Sequence, residues 1–168
     1  MENAIKAIKN GDYMTALPLY MEILELVPND TLATAGLAKC YIHIGEIEAA
    51  KEILEQSEYQ DSEDIISATK ALQLVLENSS TDDELSVLQS TYASNPKDMQ
   101  NGIKYAGALF AKNQQQESIN VLLMLFTVDR EWNNGMVKAE LLKYFEVMGN
   151  ENKVTIQGRK KLASLLFI

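Results

Sequence analysis

Landmarks recur along this chain at intervals of 34 residues. Gly11 and Ala16 return as Gly45 and Ala50, Tyr20 returns as Leu54 and Leu88, and Pro28 and Pro96 stand two intervals apart. A period of this length marks one supersecondary unit, a helix, a turn and a second helix, whose apolar face cannot be buried alone. Neighbouring units must therefore stack, and a stack leaves an extended surface where a globular enzyme has an enclosed site. The spacing predicts an all-α chain whose working part is a surface.

Composition agrees. With 168 residues and 46% hydrophobic side chains, the chain suits a single domain over 1–168 with a continuous core. Three Pro and eight Gly leave room for long helices and no linker or low-complexity stretch. Apolar runs such as Val121 to Phe126 fall far short of the roughly 20 residues of a membrane span. The N-terminus, with Glu2 and no apolar signal core, points to a cytoplasmic location and no membrane partner. The net charge of −9 is uneven: residues 1–100 hold 6 Lys/Arg against 18 Asp/Glu, and residues 101–168 hold 9 against 6. An acidic front half repels phosphate backbones, which argues against nucleic acid as a partner. Arg159-Lys160-Lys161, beside Leu162, Leu165 and Leu166, reads as the solvated side of an amphipathic helix.

Catalytic chemistry finds few candidates. Cys40 is the only cysteine, which excludes an internal disulfide and a CxxC pair, and it reads as a small, partly buried hydrophobe. His43 is the only histidine and reads as a helix-end residue, so neither a metal nor a cofactor is expected. The carboxylate pairs Glu63-Asp64 and Asp82-Asp83 fall at predicted helix starts, where acidic groups favour the dipole. No Gly-rich phosphate loop is present, and the chain reads as a non-enzyme.

Four hairpins and a terminal pair are predicted. The first covers about 3–27, with Asn10-Gly11-Asp12 as its turn and Pro18 early in its second helix. The second covers 31–57, capped by Asp30 or Thr31 and turned at Gly45, with Ala50 as the small residue at the helix crossing. The third covers 62–94; Glu84 stands where Ala16 and Ala50 stood, so this pair is expected to be splayed or shifted. The fourth covers 99–128, with Ser118 at the crossing and Asn113 replacing the turn glycine in a left-handed conformation. The polar loop 129–135 then leads to a capping pair over 136–167, which would cover the last apolar face.

The 34-residue period resembles that of tetratricopeptide helix pairs, which implies a right-handed α-solenoid of about four hairpins plus the C-terminal cap. A narrower resemblance runs from Asn113 through Phe167. Glu117-Ser118, Leu122-Leu123, Asp129 to Gly135, Leu141-Leu142, Phe145, Gly149 and Arg159 to Phe167 are similar to the C-terminal helical part of YbbN-type thioredoxin-like co-chaperones, the chaperedoxins. Gly11-Asp12-Tyr13, Ala16 to Leu19 and Pro28 resemble the first repeat of that region. The family's thioredoxin-like part normally precedes the repeats, whereas Met1-Glu2-Asn3-Ala4 begins where they begin, as expected of an excised segment or a separate protein. No residues here match the redox site. The resemblance implies a binding module in protein quality control whose partner is an unfolded client or a chaperone such as the chaperonin. The alternatives are a general cytosolic scaffold and a self-assembling adaptor, either as a monomer or as a weak homo-oligomer.

In such hairpins the first helix of each pair lines the concave side. The residues one step off its packing face are Ile5, Ile8, Leu32, Ala35, Lys39, Ile42, Ile66, Thr69, Gln73, Leu76, Ile103 and Phe110. This set is mostly apolar, and Lys39 is its only cation, too little to clamp a terminal carboxylate. These residues either line an open partner-binding strip or close on one another and on the cap.

Overall fold

A computed structural model describes residues 1–167; Ile168, the end of the apolar run from Leu165, lies outside the described residues. All regular structure among the described residues is helical. The helices are α1 (Glu2–Lys9), α2 (Tyr13–Leu26), α3 (Thr31–Ile44), α4 (Ile47–Glu55), α5 (Glu63–Glu77), α6 (Asp82–Ser94), α7 (Met99–Ala111), α8 (Gln115–Val128), α9 (Trp132–Met148) and α10 (Lys153–Leu166). They form two compact units, Met1–Leu74 and the part from Val75 onward. The class is the all-α, α-solenoid type.

In the first unit, α1 packs on α2, α2 on α3, and α3 on α4. Side-chain caps set where helices begin: Asp12 accepts from the Thr15 amide at 3.0 Å, and Asp30 from the Ala33 amide at 2.7 Å. The turns close on Gly11 and Gly45, whose φ of +79° and +87° lie in the left-handed region. Ala4, Ala7, Ala16, Tyr20, Ala33, Leu37 and Cys40 form the core. Ala16 and Ala50 are fully buried, as small residues at helix crossings must be for the axes to approach. Helix α2 also approaches α3 closely. A Cβ on Gly36 would overlap Cζ of the Tyr20 ring and lie 2.6 Å from Cε1 and Cε2. At the far end of α3, His43 stacks on Tyr13 with ring centroids 3.8 Å apart.

In the second unit, α6 packs on α7, α7 on α8, and both α9 and α10 on α8. Thr81 and Glu84 form a capping box: the Glu84 amide donates to Thr81 Oγ1 at 3.2 Å and the Thr81 amide to Glu84 Oε2 at 2.8 Å. Glu84 is thus the third residue of α6 and a cap, whereas Ala16 and Ala50 are crossing residues. No residue of α6 is fully buried. Ser118 restores the small crossing residue and donates its hydroxyl to the Ala106 carbonyl at 2.7 Å. Asn113 takes the left-handed conformation, φ +60°. Asn133, Asn134 and Gly135 all have positive φ, so the right-handed part of α9 starts at Met136. Gly158 lets α10 approach, since a Cβ there would lie 2.6 Å from Phe145.

Candidate functional site: a protein-binding surface

Two side-chain hydrogen bonds place α5 beside α3 in the first unit. Lys39 Nζ donates to Ser67 Oγ at 3.1 Å, and Thr31 Oγ1 donates to Asp64 Oδ2 at 3.4 Å. The first helices of the second and third hairpins therefore run as neighbours, the arrangement that makes a groove wall. Leu32 on α3 is 39% exposed and Ile66 on α5 is 41% exposed. Thr69, Gln73 and Leu76 continue the open face of α5 at helical spacing and are all exposed. Ile5, Ile8 and Lys39 are half-buried, and Ile8 packs against the core of the first unit. Ala35 and Ile42 are buried.

Lys39 occupies the place of a would-be clamp cation, but its ammonium is held by Ser67. Burial lowers its pKa, and the Asp64 carboxylate partly offsets that. In the second unit, Ile103 is half-buried and Phe110 is buried, with its ring 4.5 Å from that of Tyr144 in α9. Of the predicted set in the first unit, Leu32, Ile66, Thr69 and Gln73 are exposed, whereas Phe110, in the second unit, is closed off against Tyr144.

Cys40 and His43 lie three residues apart on α3, the spacing of one helix face. Yet burial pushes the Cys40 thiol up to about 12 and lowers the His43 pKa. These shifts are the reverse of those by which an imidazolium stabilises a thiolate nucleophile. Among the described residues no three His, Cys, Asp or Glu side chains converge as a metal site, and no helix is long and apolar enough to cross a membrane. An open cleft of about 560 Å³ in the second unit is lined by Asn78, Ser80, Asp83, Glu84, Val87 and Leu88 among others, with no His or Cys in its wall. Two of the four carboxylates flagged in the sequence take structural places. Asp64 bonds Thr31, and Asp82 pairs with Lys112 at 2.7 Å, which lowers the Asp82 pKa. Arg159 lies 5.7 Å over the Phe145 ring, while Lys160 and Lys161 are exposed and Leu162 is buried.

The repeat geometry has counterparts elsewhere. Residues 7–74 and 78–167 each match a family described as tetratricopeptide repeat. The chain belongs to the tetratricopeptide repeat family. A Haemophilus influenzae protein described as uncharacterized is 32% identical over 168 residues, covering 99% of this chain and 76% of its own length. A solved domain of a Vibrio parahaemolyticus protein of unknown function is 21% identical, with 97% of this chain and 95% of that one aligned, at a TM-score of 0.46. Tetratricopeptide repeats are protein–protein interaction modules, generally without catalysis, and this chain's partners are accordingly proteins. Sequence reasoning passed over one feature of this tetratricopeptide chain, the outer side of α2. The signal was present: α2 reads YMTALPLYMEILEL, with apolar residues on both faces.

Proposed function

We propose that this chain is the client- or chaperone-docking part of a thioredoxin-like co-chaperone acting in protein quality control. The reading rests on one observation above others, the exposed apolar pair Leu32 and Ile66 on adjacent helices of the groove wall. Exposed leucine and isoleucine at neighbouring positions favour an apolar helix or an unfolded segment over a charged peptide tail. The similarity of the stretch from Asn113 to Phe167 to chaperedoxins supports the quality-control context. The exposed part of the predicted set within the first unit, Leu32, Ile66, Thr69 and Gln73, is proposed as the contact surface.

The test uses reduced, unfolded α-lactalbumin as client. The wild-type chain should bind it and slow its aggregation, whereas Leu32→Asp/Ile66→Asp should bind at least tenfold more weakly while keeping the wild-type helical signal. Both positions are exposed, so the substitutions leave the core intact. Equal binding by the variant would remove the groove, and no client binding by the wild type would remove the quality-control reading.

A further inference from the structure

We propose that the outer face of α2 is a second docking site, one that takes a basic amphipathic helix of a partner protein. Met14, Pro18, Met21 and Glu25 follow one another at spacings of four, three and four residues, which places them along a single line of the helix. All four are exposed, Met14 by 70% and Met21 by 44%, while Ala16 and Tyr20 on the opposite side are buried in the core. The spacing is that of a seam meant for a second helix, because side chains at such intervals fit between those of a straight partner. Methionine suits this role, since its unbranched thioether adapts to partner side chains of different shape.

Charge selects the partner. Glu25 closes the seam at its C-terminal end and Glu22 lies beside it, and α2 contains no Lys, Arg or His. The first unit as a whole carries 5 Lys/Arg against 13 Asp/Glu over residues 1–74. Such a field attracts a cationic helix and repels anionic lipid or nucleic acid. The proposal stands apart from the groove on α3 and α5 and does not depend on it.

The experiment uses the full chain and two labelled synthetic peptides of equal length, one a Leu/Lys amphipathic helix and the other its Leu/Glu counterpart, with binding read by fluorescence anisotropy. The Leu/Lys peptide should bind at least tenfold tighter, and its affinity should fall as salt rises. Met14→Lys/Met21→Lys and Glu22→Lys/Glu25→Lys should each weaken it at least tenfold, with wild-type circular dichroism. Glu48→Lys/Glu52→Lys on α4, a charge change of the same size at exposed positions, should leave it within about twofold. Equal losses from the α4 and α2 reversals would reduce the effect to bulk charge and overturn the proposal, as would equal affinity for both peptides. Loss of binding in Leu32→Asp/Ile66→Asp but not in Met14→Lys/Met21→Lys would move the site to the groove. If the wild-type chain's mass instead rises with concentration and Met14→Lys/Met21→Lys abolishes that rise, the occupant is a second copy and the assignment of a foreign partner fails.

Discussion

Replacing Gly36 with alanine separates two opposed effects at the α2–α3 contact. Alanine in a helix interior is worth about 1 kcal/mol over glycine, so propensity alone predicts a more stable protein. Space predicts the opposite, because the new methyl would lie 2.6 Å from two carbons of the Tyr20 ring. That ring is 3% exposed and packed among Ala16, Ala33 and Leu37 in the same core, so it moves only if α2 and α3 move apart. Overpacking of a tight core costs about 1–3 kcal/mol, and so close an overlap puts this case at the upper end. The expected net loss is about 1–2 kcal/mol, or a fall in Tm of about 3–6 °C for a chain of this length. Tyr20→Leu alone should cost about 2 kcal/mol through the cavity it opens. The double variant should lose less than the sum by about 1–2 kcal/mol, since the new methyl enters the vacated space. Leu54 and Leu88 occupy the positions one and two periods beyond Tyr20, so leucine suits this register. Urea denaturation of the four proteins closes the cycle. A Gly36→Ala variant as stable as wild type, or additivity in the double variant, would refute the packing argument.

Gly45→Ala is the complementary perturbation: nothing lies within 4 Å of its would-be Cβ, but φ is +87°, so the expected loss of about 1 kcal/mol is purely conformational and no second-site packing change should rescue it. A full rescue by Tyr20→Leu in urea titrations would contradict that. Cys40 and Tyr20 both hold their protons to about 12 in the folded chain because burial disfavours their anions, whereas the unfolded chain releases them near about 8.5 and 10. Above those values the unfolded state binds fewer protons than the native one, so stability falls as pH rises. The urea midpoint should be level to about pH 8 and decline from there to pH 11, and Cys40→Ala should flatten the first part of the decline; a level profile throughout would refute the assignment.

The repeat was legible because its markers are the residues that geometry restricts most. Ala16, Ala50 and Ser118 are all fully buried at crossings, and Asn113 adopts the left-handed turn that the earlier repeats give to glycine. The lone thiol reads as a small, partly buried hydrophobe, and in the fold it is buried completely. Glu84 shows where periodic reading fails. Its register matched Ala16, but the capping box with Thr81 fixes it as a helix start, and local hydrogen bonding outweighs spacing. Phe110 shows a different limit. Its helical position resembles that of a groove residue, yet the ring contact with Tyr144, distant in sequence, decides its burial. The stretch from Asn133 to Gly135 was legible as a break, but its three successive left-handed residues were not, since Asn and Gly permit that conformation without requiring it. Gly36 drew no notice because a glycine inside a helix signals its purpose only when the facing residue is known.

The stacking of His43 on Tyr13 has a practical consequence. The chain holds one imidazole, and that imidazole lies over a ring at the beginning of α2 while being carried by the last turn of α3. Its ring-proton resonances are therefore unique in the magnetic resonance spectrum and displaced by the current of the neighbouring phenol. One isolated signal, followed during titration or denaturation, reports whether the first two hairpins remain joined.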